Sequence, residues 1–152
     1  MQKLLYQIIK PTFTHIISPA CHHLKGPAVI KNLTHQITNT LSTGNYRYVI
    51  RTDIKSYYAS IDHPLLQQMI YSHFNDQRVV RYLCDWISAP IDRGGWYEHP
   101  KQGIPIRSSI SSFLAALYLK PLDQAFEHRV GVFYCRYNDD MLILCRTKRQ
   151  YA

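Results

Sequence analysis

Residues 134–145 read YCRYNDDMLILC, and the fold turns on how that stretch is read. Two short apolar runs flank Asn138, Asp139 and Asp140. Each run reads as a strand, and polar residues of the Asn and Asp type tolerate the backbone angles of a tight turn. The stretch is therefore expected to be a β-hairpin carrying two adjacent carboxylates at its tip. Like charges beside a core repel, so either these residues only form the turn or something offsets their charge. Working outward, YRYVIRTDI at 46–54 is rich in Tyr, Val, Ile and Thr and predicts a strand that ends near Asp53. If that strand lies beside the hairpin, Asp53, Asp139 and Asp140 converge at one edge of a sheet. A helix N-cap is the alternative role for Asp53.

The rest of the chain is mostly helical in pattern. LLYQIIK at 4–10 suits one short helix before Pro11. Over 28–44 the residues Ile30, Leu33, Ile37 and Leu41 share one helical face, with Gly44 as the C-terminal cap. Two more helices are expected over 63–74, opened by Pro64, and over 77–89. Gly94-Gly95 signals a small hairpin, and 109–128 reads as a nearly all-apolar helix that Pro121 kinks or splits. This order predicts an α+β fold, an antiparallel sheet with helices packed on one face. No repeat or linker interrupts the chain, so one domain is expected.

Composition narrows the class. The 152 residues are 46% hydrophobic and only 18% charged, which suits a packed core and excludes a disordered tail. Eighteen Lys and Arg against ten Asp and Glu give a net charge of +8, and there are twelve tyrosines. A basic, aromatic-rich surface favours nucleic acid. The four cysteines lack C-x-x-C spacing and read as buried thiols of a cytoplasmic protein. CHHLKG at 21–26 sets a Cys beside two histidines, but adjacent residues rarely point at one ion, so no zinc site is expected. No apolar run approaches membrane-spanning length, and no export signal follows Met1.

Three converging carboxylates would repel and hold protons unless a divalent cation neutralised them. All-oxygen ligands suit Mg²⁺, with Mn²⁺ as a substitute. Two such ions, about 3.5–4 Å apart, would clamp the attacking and leaving oxygens of a phosphoryl transfer.

Three stretches carry a resemblance. YVIRTDIKSYYASIDH (48–63), GIPIRSSISSFLAALYLKPLD (103–123) and YNDD (137–140) resemble, in order and spacing, the three palm motifs of reverse transcriptases. The first is similar to the bacterial kind found in group II introns and related chromosomal elements, written D-I-K-x-[FY]-[FY]-x-x-I-D-H. SPACHHLKGPAVIKNL (18–33) is similar to the segment that precedes the palm. The resemblance implies a ferredoxin-like palm across 1–152, with a helical pre-palm segment at 1–44 and palm motifs at 45–146. Relatives are typically far longer, so fingers and thumb are expected to be largely absent, or supplied by a separate chain.

The implied activity is RNA-directed DNA polymerisation, with an RNA template, a DNA primer and deoxynucleoside triphosphates as partners. Asp53, Asp139 and Asp140 would be the catalytic carboxylates, and with the backbone carbonyl of Ile54 they would hold two Mg²⁺ ions. Tyr58 would lie under the sugar and exclude a 2′-hydroxyl; its alternative is a core aromatic, with Tyr57 then exposed. Gly103, Pro105, Ile106 and Arg107 would contact the incoming nucleotide and template. Two departures stand out: Ile106-Arg107 where intron-type relatives carry Gln-Gly, and Asn138 where Ala, Met or Val is commoner. Asp62 and His63 are expected to cap the helix at Pro64. A catalytically inactive remnant and a maturase-like RNA-binding module are the competing readings.

Overall fold

The structure, a computed structural model, describes residues 2–106 and 108–151; Arg107 lies outside the described residues. The hairpin forms as its pattern requires. β4 (Val132–Tyr137) and β5 (Asp140–Cys145) pair antiparallel with Tyr137 opposite Asp140, leaving Asn138 and Asp139 as the turn. Asn138 adopts φ +55°, a left-handed angle that few residues other than Gly tolerate and Asn tolerates best. β1 (Tyr48–Thr52) joins the other edge of β5, from Tyr48 opposite Cys145 to Thr52 opposite Met141. The sheet order is β1-β5-β4.

The chain divides into two compact units interleaved in sequence: residues 17–55 with 119 onward, and residues up to 16 with 56–118. The first holds the sheet, α3 (Val29–Ser42), α8 (Lys120–Glu127) and the short α9 (Lys148–Tyr151). Side chains alternate across strands, so Tyr134, Met141, Ile143 and Cys145 share a buried face with Tyr48 and Ile50. Leu122 and Phe126 of α8 close over it, the Phe126 ring stacked on Tyr134 at 4.8 Å.

Along the opposite sheet face, α3 forms as expected but does not close down. Leu33 and Ile37 are half-buried, while Ile30 and Leu41 remain 60% and 43% exposed. A cavity of about 340 Å³ lies between the α3 face and Arg51, Cys135, Tyr137 and Leu142. All four cysteines are free thiols, and Cys21, Cys135 and Cys145 are buried.

The second unit is helical: α1 (Gln2–Ile9), α2 (Phe13–Ile16), α4 (Tyr57–Ser60), α5 (His63–His73), α6 (Gln77–Ile87) and α7 (Ser109–Tyr118), with a small β2 (Ile91–Asp92) and β3 (Tyr97–Glu98) hairpin. Pro121 splits the long apolar stretch into α7 and α8, since a proline ring fits a helix's first turn and not its interior. After its opening serines α7 is nearly all apolar and accordingly buried, with Ile110, Phe113 and Leu114 at 0% exposure. Phe113 stacks on Phe13 at 4.1 Å and meets the edge of Phe74 at 6.0 Å. Val80, Leu83 and Ile87 bury one stripe of α6 against this core. Asp62 caps α5, its carboxylate accepting from the Leu65 N–H at 2.9 Å with Pro64 in the first turn. Among the described residues, no helix is long and apolar enough to cross a membrane.

Candidate active site

β1 ends at Thr52, opposite Met141, so Asp53 emerges beside the hairpin turn. The helix N-cap that Asp53 could have provided is taken by Ser56, which precedes α4. At the turn the Asp139 carboxyl holds its proton more tightly than usual. Partial burial is the main cause, followed by the charge of Asp53, a hydrogen bond shared with it, and the charge of Asp140. Two carboxylates placed this close repel, and a cation between them would offset the repulsion. Asp140 takes another course: it is exposed and accepts from Arg51 Nη2 at 3.2 Å.

The structure thus brings Asp53 and Asp139 together and turns Asp140 to Arg51. Among the described residues, no three His, Cys, Asp or Glu side chains group as a metal site. The donor set at hand is a pair of hard oxygen ligands with uncompensated repulsion, which fits a divalent ion that keeps several waters. The side chain of Ile54 packs against the sheet's core cluster and anchors the backbone next to Asp53.

The raised proton affinity has a thermodynamic consequence. The folded protein binds the Asp139 proton more tightly than the unfolded chain does. The stability this contributes is full below the ordinary value of 3.8 and is lost as pH rises through the raised value. Asp139→Asn should therefore melt above the native protein at neutral pH, without added metal, and the gap should close as pH falls to 3.8. Melting curves that differ equally at both pH values would contradict it.

Beneath the turn lies a buried ion pair. Arg136 and Asp123 both have fully buried side chains, with Nη2 at 2.5 Å from Oδ2 and Nε at 2.8 Å from Oδ1. Tyr134 adds its hydroxyl to Asp123 Oδ1 at 2.7 Å. Burial alone would lower the Arg136 pKa, but its hydrogen bonds to Asp123 raise it, so the guanidinium stays charged. Neither residue was singled out from the sequence. The one usable signal was an Arg between the apolar residues of a strand; Asp123 sits in a helix with Lys120, Gln124 and Glu127 and carried none.

The remaining sequence-derived residues belong to the helical unit. Tyr57 is the core aromatic of the tyrosine pair: it is 4% exposed and its hydroxyl donates to Ala115 O at 2.5 Å. Tyr58 is half-buried, and its carbonyl accepts from Ile104 N at 2.9 Å. Gly103 adopts φ +88°, and a Cβ there would meet Ala59 O at 3.2 Å, so glycine is required. His63, expected only as part of a helix cap, is buried, and its Nε2 donates to Gly103 O at 2.6 Å. That bond fastens the 103–106 loop to α5. Pro105 and Ile106 are exposed, Ile106 at 71%.

Residues 1–152 match the family model described as reverse transcriptase (RNA-dependent DNA polymerase). Protein YkfC of Escherichia coli K12 is 25% identical over a match covering 80% of this chain and 40% of that protein. Among solved structures, apo telomerase from Candida tropicalis superposes with a TM-score of 0.72 at 12% identity, over 99% of this chain and 32% of that one. The reverse transcriptase-containing chain of a partial Cas6-RT-Cas1–Cas2 complex gives 0.52 at 23% identity, over 97% of this chain and 26% of that one. These likenesses bear on the fold, and the chain spans well under half the length of each of these relatives.

Proposed function

Because the chain belongs to the reverse transcriptase family, we propose that it serves as the palm of an RNA-templated DNA polymerase. The observation that carries this reading is the register that sets Asp53, just past the end of β1, beside Asp139 in the YNDD turn, where the charge of Asp53 helps to raise the Asp139 carboxyl. The pair would hold Mg²⁺ or Mn²⁺, with the Ile54 carbonyl and Asp140 completing the sphere. Bound there, two divalent ions would stabilise charge on the attacking 3′-oxygen and the leaving pyrophosphate. The chain's own contribution is positioning: a stiff three-stranded sheet aims the carboxylates, and no side chain need act as acid or base.

In this reading Tyr58 lies under the deoxyribose, and the 103–106 loop, fixed by His63, runs beneath the base pair with Ile106 against sugar or base. Arg107 would reach a phosphate. The net charge of +8 suits a polyanionic duplex. The further regions that grip duplex and triphosphate would come from additional sequence or a second chain.

The test is primer extension on an RNA template with a DNA primer, deoxynucleotides and Mg²⁺ or Mn²⁺. Extension that Asp53→Asn removes supports the reading. RNA binding without extension, unaffected by that substitution, would favour an RNA-binding module. In the same assay Tyr58→Ala should lower discrimination against ribonucleotides by about 10- to 100-fold, the size of relieving one overpacked contact. Unchanged discrimination would remove Tyr58 from this role.

A further inference from the structure

The 21–26 segment, CHHLKG, has no part in the site as described so far, yet the fold carries it to the hairpin. Arg136 N donates to Ala20 O and His22 N donates to Arg136 O, both at 2.9 Å, and Cys21 bridges Arg136 in a parallel pair. This short stretch is thereby hydrogen-bonded along the free edge of β4, and it delivers His23 to the turn.

There the backbone of Asn138 is held at both of its polar ends. Its N–H donates to His23 Nδ1 at 3.2 Å, and its carbonyl accepts from Arg136 Nη1 at 2.6 Å. The Asn138 carbonyl and the Asp139 N–H lie in one planar peptide unit. Fixing the carbonyl therefore fixes the plane from which Asp139 departs. The held residue is also the one at φ +55°, where the backbone is least stable on its own.

Because a backbone N–H only donates, His23 Nδ1 accepts, and the ring proton sits on Nε2. The Cys21 sulfur lies 3.4 Å from the same Nδ1, and burial pushes its thiol up to about 11, so no thiolate charge faces the ring.

We propose that His23 is a positioning residue for the catalytic turn, clamping Asn138 from the N–H side while Arg136 clamps it from the carbonyl side, so that Asp139 is presented at a fixed angle. The proposal rests on the polymerase reading of Asp139.

His23 is the member to test, because it is half-buried, whereas Arg136 is locked into a buried ion pair. Two variants separate the roles. His23→Ala removes the acceptor; His23→Asn sets Oδ1 where Nδ1 stood and restores it. The first readout is exchange of the Asn138 amide with solvent, followed by NMR in the full chain. His23→Ala should speed it about fivefold, the size of one net hydrogen bond, and His23→Asn should return it to the native rate. The second readout is primer extension. kcat should fall about tenfold in His23→Ala with the nucleotide KM unchanged, and should recover in His23→Asn.

Native exchange rates in His23→Ala overturn the clamp. Faster exchange with native kcat overturns the positioning role. A native chain that neither binds Mn²⁺ nor extends overturns the polymerase reading instead, and the exchange arm then still decides whether the clamp exists.

Discussion

Asp139→Asn is expected to lower primer extension by about a thousandfold, the size of losing a principal electrostatic contact to a transition state. The amide keeps the shape of the side chain but removes the charge that would hold a cation. Asp53→Asn should behave alike, since the two carboxyls share one interaction. Asp140→Asn should do less, because that carboxylate is exposed and already engaged by Arg51 at 3.2 Å. Single-turnover extension by the three variants measures the ladder. Equal losses at all three positions would mean that Asp140 leaves Arg51 and joins the pair.

The second large effect is on stability. Asp123→Ala would leave the Arg136 guanidinium fully buried without its carboxylate, and would take the acceptor from Tyr134. Breaking one side of a buried pair costs about 3–5 kcal/mol, a large share of the roughly 5–15 kcal/mol that holds a domain folded. Replacing both partners with apolar residues, Asp123→Leu with Arg136→Met, should recover most of that loss, because no buried charge remains. Denaturant unfolding of the single and double variants checks this. A single variant as stable as the native protein would show that the pair contributes little. The double variant also lacks the Nη1 bond to Asn138, so it should fold well and still extend poorly.

Where the sequence was informative, its message was local. The hairpin followed from alternation around Asn-Asp, and the α7–α8 break followed from one proline. The strand ending near Asp53 followed from β-branched and aromatic residues. The convergence of Asp53 with Asp139 needed one more assumption, that β1 lies beside β5, and the register of Thr52 opposite Met141 meets it.

Other features had no local signature. Which of Tyr57 and Tyr58 enters the core depends on Ala115, a residue far along the chain that offers its carbonyl. Asp123 and Arg136 lie 13 residues apart on different elements, and each alone resembles a surface charge. His63 looked like part of a helix cap because its partner, the Gly103 carbonyl, lies 40 residues away. For α3 the spacing gave the helix and its apolar face. It did not say that Ile30 and Leu41 would stay exposed, since that depends on how closely the helix meets the sheet. Asn138 looked like a departure from the family pattern, and its φ of +55° gives a physical reason for it.

The most direct test of the account is a calorimetric titration of the full chain with Mn²⁺, comparing native protein with Asp53→Asn, Asp139→Asn and Asp140→Asn. The account predicts that the native chain binds Mn²⁺, that either of the first two substitutions abolishes binding, and that Asp140→Asn weakens it by no more than about tenfold. Undiminished binding in Asp139→Asn would contradict the assignment of the Asp53–Asp139 pair as the metal-holding centre.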